Sequence, residues 1–81
     1  MANLPTLEEI ERAILEKAQK WVKRPQEIFP VYQLNVELQQ EGGFTAKEIG
    51  NALKSMHENG WISESQSPVH LLITESGFSE M

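Results

Sequence analysis

One segment constrains this chain more than any other: Phe44-Thr45-Ala46-Lys47-Glu48-Ile49 and its continuation to Gly60. Thr45 and Glu48 have the spacing of a capping box, in which the threonine hydroxyl accepts the glutamate amide proton and the carboxylate reaches back to the threonine amide. Phe44 and Ile49 bracket that pair as a hydrophobic staple, which fixes the angle at which the chain enters a helix. Ile49, Ala52, Leu53 and Met56 then recur on one face at the α-helical period. Asn59-Gly60 closes the segment, because glycine takes the left-handed conformation of a helix C-terminus without a steric penalty. The reading is a helix over 45–59 with one apolar side that the rest of the chain must cover.

The cover comes from both flanks. Thr6-Leu7-Glu8-Glu9 is a second capping box, preceded by Pro5. Leu7, Ile10, Ile14, Ala18 and Trp21 follow at spacings of 3, 4, 4 and 3, with Leu15 and Val22 as a narrower seam. This predicts a helix over 6–23, ended by Pro25, which lacks a donor and restricts Arg24. Gln26-Glu27-Ile28-Phe29 lies between two prolines and is too short for a helix, so 26–29 reads as an extended segment or a short edge strand. Pro30 suits the first turn of the next helix. That helix shows two apolar faces, Val31/Leu34/Leu38 and Tyr32/Val36, and is expected to pack on two sides before Glu41-Gly42-Gly43 stops it.

After Gly60 the period changes to that of strands. Trp61–Glu64 and Val69–Ile73 read as a hairpin joined by Ser65-Gln66-Ser67-Pro68, and Thr74–Phe78 as a turn or one short helix. A two-stranded hairpin is marginal in water. It is expected to lie on the helices, with the first offering the longest apolar face. The expected core is Ile10, Ile14, Ala18, Trp21, Leu34, Leu38, Phe44, Ile49, Leu53, Met56, Ile62, Leu71 and Ile73. The fold class is α+β: three helices and a small C-terminal β-hairpin in one domain over 1–81.

Composition narrows the chemistry. The 81 residues contain no cysteine and two histidines, His57 and His70. Disulfide, thiol and cysteine-zinc chemistry are therefore excluded, and no metal or cofactor is expected. The carboxylates of Glu8, Glu9, Glu11 and Glu16 have no nucleophile or base in a recognisable motif beside them, and no glycine-rich phosphate loop exists. The expectation is a protein that is not an enzyme. No apolar run reaches the roughly 20 residues of a membrane helix, and the first residues lack a signal peptide's order of basic then apolar. No membrane partner and a reducing cytoplasm are expected.

Charge is uneven. Seven bases face 12 acids, all glutamate, for a formal charge of −5. Residues 1–24 hold five bases and four acids; residues 25–81 hold eight acids and two bases, Lys47 and Lys54. Lys17, Lys20, Lys23 and Arg24 cluster near the end of the first helix, where cations also offset the helix dipole.

Two stretches resemble the winged-helix (winged helix-turn-helix) transcriptional regulators of bacteria. One is Leu53-Lys54-Ser55-Met56-His57-Glu58-Asn59-Gly60-Trp61-Ile62, against a family pattern L-x-x-L-x-x-x-G-[aromatic or Leu]-I, with Met56 at the second apolar position. The other is Ile73-Thr74-Glu75-Ser76-Gly77, against L-T-x-x-G at the end of the second wing strand. The resemblance spans roughly residues 28–78. It implies a three-helix winged helix-turn-helix that binds double-stranded DNA with its third helix in the major groove. Stepping about 100° per residue places Lys47, Asn51, Lys54 and Ser55 on the side opposite the apolar face, and the resemblance makes them DNA contacts. Thr45 at the helix N-terminus, with Lys17, Lys20, Lys23 and Arg24, would meet phosphates; Ser65, Gln66 and Ser67 would be the wing. The chain departs from the family in two ways. Its wing carries no Arg or Lys, and it ends within four residues of Gly77, without the extra helices through which many such regulators dimerise. It would be a monomer, or a homodimer through the first helix by Leu15/Val22 or Trp21. The rival reading is an acidic protein-binding module docking on a basic protein through Gln39, Gln40, Glu41 and the wing.

Overall fold

In the computed structural model, which describes residues 6–66 and 70–81, three helices start at a threonine. The chain runs α1 (Leu7–Ala18), β1 (Ile28–Pro30), α2 (Val31–Gly42), α3 (Ala46–Glu58), β2 (Ile62–Glu64), β3 (His70–Ile73) and α4 (Glu75–Glu80). Thr6, Thr45 and Thr74 are extended, and their side chains accept the amide protons of Glu9, Glu48 and Gly77. At Thr45 both halves of the capping box form. The other end of α3 closes as the sequence signals. Gly60 has φ 78°, its amide donates to the His57 carbonyl at 3.0 Å, and the Trp61 amide donates to Met56 at 2.9 Å. This is a Schellman closure.

The first helix ends earlier than Pro25 suggests. Regular helix stops at Ala18, and the Lys20 and Trp21 amides tighten onto the Lys17 and Ala18 carbonyls. The Glu27 carboxylate accepts the amides of Lys23 and Arg24, at 2.6 and 2.8 Å, and so caps a reversal of the chain. Gln26 then takes φ 67° and donates its amide to the Ile73 carbonyl at 2.8 Å. That reversal delivers the next segment to the sheet, so the extended piece expected at 26–29 is a strand at Ile28–Pro30. Pro30 ends the strand and caps α2 rather than lying inside its first turn.

The described sheet is antiparallel, in the order β1-β3-β2, with Ile28 opposite Leu72 and Ile62 opposite Ile73. Its inner face contributes Phe29, Ile62 and Ile73 to one core with Ile14, Leu34, Ile49 and Met56. Leu15, Val22, Phe29 and Ala52 are also buried, beyond the residues expected. Trp21, Phe44, Leu53 and Leu71 pack only partly buried at its margin. The sheet rests on α2, α3 and α4, while α1 packs chiefly across α3 and α2. The hairpin therefore shares the core with the apolar face of α1 but lies mainly against the other helices. On α2, Leu34 and Leu38 are buried and Val36 is half-buried, while Tyr32 is 77% exposed, so the second apolar face is only partly covered. Leu15 and Val22, at 2% exposure each, complete the core and are not a surface seam. The architecture is α+β and winged-helix-like: α2, turn and α3, with β2–β3 in the place of the wing.

Candidate nucleic-acid interface

A cation can hold a phosphate only if its own chain leaves it available. Lys17 and Lys20 reach across to α2. The Lys17 ammonium donates to Glu41 Oε1 at 3.0 Å and lies 3.5 Å from Glu37 Oε1, while Lys20 Nζ is 3.2 Å from Glu37. Lys20 also sits 5.2 Å from the Trp21 ring centroid. The hydrogen bond from Lys20 holds the Glu37 carboxyl below its ordinary range, against the opposing effect of desolvation. The bond to Glu41 raises Lys17. Lys23 donates to the Gln19 carbonyl at 2.8 Å, at the end of the first helix, and Arg24 lies 3.7 Å from Glu27. Arg12 donates to the Glu80 carbonyl at 3.0 Å. The four cations expected to meet phosphates from the first helix are thus in contact with oxygens of the chain itself, and Lys17 of α1 and Lys20 of the turn after it reach α2.

Lys47 and Lys54 differ. Both are exposed, and neither forms an ion pair or hydrogen bond within the described residues. They share one face of α3 with Asn51 and Glu58, all within about 60° of arc at 100° per residue. The face behind them is sealed by Ile49, Ala52 and Met56, each fully buried. Ser55 lies at the edge of the polar face and is half-buried. The helix therefore presents two ammonium groups and a carboxamide to solvent from a rigid, doubly capped rod.

Thr45 stands at the start of that rod, but its hydroxyl is committed. It accepts the Glu48 amide and lies 3.1 Å from Glu48 Oε1, and the Thr45 amide donates to the same carboxylate at 2.9 Å. An incoming phosphate at this end meets a negative charge. On the wing, Ser65 Oγ donates to the His70 carbonyl at 2.8 Å and pins the hairpin. Gln66 is exposed; Ser67 lies outside the described residues. The described wing residues include no Lys or Arg, and Glu64 is exposed among them.

The wing is locked to the end of α3. The Thr74 amide donates to the Trp61 carbonyl at 3.0 Å and its hydroxyl to the Gly60 carbonyl at 2.5 Å. Gly77 packs directly on the Trp61 carbonyl, where a Cβ would lie 2.8 Å from the carbonyl carbon and closer still to the oxygen. The Thr74-Glu75-Ser76-Gly77 signature is therefore a brace between α4 and the base of the wing. Sequence reasoning missed the roles of Glu27, Glu37 and Glu41 as internal partners. Glu27 stands three residues beyond Arg24, a detectable local spacing, whereas the α1–α2 pairs join distant residues and leave no local pattern.

Among the described residues, no group of histidine and glutamate side chains could hold a metal ion, and no helix is long and apolar enough to cross a membrane. Searches against family models, curated proteins and solved structures found no match to this chain.

Proposed function

We propose that this chain is a small winged-helix DNA-binding protein acting as a transcriptional regulator, with α3 lying in the major groove of a duplex. One observation carries the reading: Lys47 and Lys54, which form neither an ion pair nor a hydrogen bond within the described residues, share the outward face of α3. On this reading they meet phosphates, and Asn51 between them meets a base edge, adenine being the base whose N6 and N7 match a carboxamide. Of the charges behind the formal −5, Glu58 shares that face and opposes binding, while glutamates farther away than a Debye length of about 8 Å are screened in physiological salt. The wing contributes hydrogen bonds rather than charge.

Fluorescence anisotropy with a mixed-sequence duplex at low salt tests it. Binding within tens of micromolar, lost in Lys47→Glu/Lys54→Glu, is expected. No change in anisotropy over that range refutes it. A second reading, an acidic module for a basic protein partner, is favoured by the outer sheet face. There a groove of about 770 Å³ is lined by Ile28, Leu72, Glu64, Ser65 and Gln66, and Ile28 is 48% exposed. Of the earlier candidates on that reading, Gln39 bonds Asn35 and Glu41 bonds Lys17, so the groove is the better surface.

A further inference from the structure

Four of the five glycines have a reason within the fold. Gly43 and Gly60 have φ of 73° and 78°. A Cβ on Gly42 would meet the Phe44 ring at 2.8 Å, and one on Gly77 would strike the Trp61 carbonyl. Gly50 has no such reason. It sits inside α3, it is exposed, its φ is not positive, and an added Cβ would find nothing within 4 Å. Glycine in a helix interior is unfavourable relative to alanine, because it has more backbone freedom to lose. The fold thus carries a weak point in its best-specified helix and gains no internal contact from it.

The position of that weak point is informative. Gly50 lies between Lys47 and Lys54 in sequence and about 60° around the helix from Lys47, on the flank of the outward face. The two lysines stand about 10 Å apart along the axis, at 1.5 Å rise per residue. An α-helix with its side chains is about 10–12 Å across and the major groove of B-DNA about 12 Å wide, so a helix seated there has little room on its flanks.

The geometry points to Gly50 as the residue that sets how closely α3 seats in DNA: one sugar-phosphate wall of the groove passes over the bare backbone at Gly50, with Lys47 and Lys54 on phosphates to either side. This inference rests on the DNA-binding reading and adds to it a positioning residue that carries no contact group of its own. A side chain at this position enlarges the flank that faces the wall and pushes the helix outward.

The test compares the full chain with Gly50→Ala and Gly50→Leu, measuring thermal unfolding and anisotropy with the same mixed-sequence duplex at low salt. Gly50→Ala is expected to raise Tm by about 2–8 °C and to weaken binding at least roughly fivefold, as an overpacked contact does. Gly50→Leu is expected to weaken it further while remaining folded. A variant more stable than the parent yet poorer at binding excludes unfolding as the cause. If the parent binds the duplex and both variants bind equally well, the inference is overturned while the DNA-binding reading stands. If the parent does not bind at all, the reading itself fails and takes the inference with it.

Discussion

Gly77→Ala isolates the brace that holds the wing to the end of α3. The added methyl would overlap the Trp61 carbonyl oxygen and lie 2.8 Å from its carbon, and these are backbone atoms that cannot rotate away. The same carbonyl accepts the Thr74 amide at 3.0 Å, and Thr74 also bonds the Gly60 carbonyl and caps Gly77. Relief therefore requires α4 to lift from the base of the wing. The hydroxyl bonds at Thr74 are each worth about 1 kcal/mol net. Phe78, partly buried against the core, contributes about 1–2 kcal/mol more. The expected loss is about 3 kcal/mol, a fall in Tm of roughly 12–24 °C for a domain of this size. Thermal unfolding by circular dichroism and urea unfolding by tryptophan fluorescence both read it, since Trp61 lies at the contact. Gly50→Ala, with open space around its Cβ, is the internal control and moves the other way. If Gly77→Ala unfolds within about 0.5 kcal/mol of the parent, surface-like behaviour would show that α4 does not brace the wing.

Two further outcomes follow from the engaged charges. Replacing Lys17 and Lys20 by alanine removes the links from α1 to Glu37 and Glu41, which are largely solvent-screened; Tm is expected to fall slightly, and duplex affinity to stay unchanged in anisotropy titrations. Glu27 is held below its ordinary value of 4.5, first by the Lys23 amide and then by the Arg24 amide. A carboxylate depressed in this way stabilises the fold above its unfolded pKa, and the contribution is lost as pH falls through the folded value. Glu27→Gln should therefore narrow the stability difference between neutral pH and pH below about 4.5, as measured by urea midpoints at a series of pH values.

Local chemistry made α3 readable. Its cap, staple, apolar stripe and closing glycine lie within one short segment, and each acts on its immediate neighbours. The wing strands and the core residues Ile49, Met56, Ile62 and Ile73 were legible for the same reason. The end of α1 was not, because Gln26 turns the chain to reach the Ile73 carbonyl, a partner far away in sequence. Pro25 marks the breaker but not the reversal capped by Glu27, so the edge strand is legible there while the burial of its Phe29 is not. The outward lysines of α3 follow from helical stepping alone. The pairing of Lys17 and Lys20 with α2 depends on how two helices cross, which periodicity does not encode. Glycines divide the same way: Gly43 and Gly60 are signalled by helix ends, whereas Gly77 is explained only by the carbonyl packed on it.

The claim at the centre is that Lys47 and Lys54, on α3, make the phosphate contacts to a duplex. The salt dependence of binding measures it directly. Two phosphate contacts give a slope of about −1.8 for the logarithm of the association constant against that of the salt concentration. Lys47→Ala or Lys54→Ala should each reduce that slope by about 0.9. A slope near −5, as the additional cations of the first helix would produce, or a slope that neither substitution changes, would contradict the account.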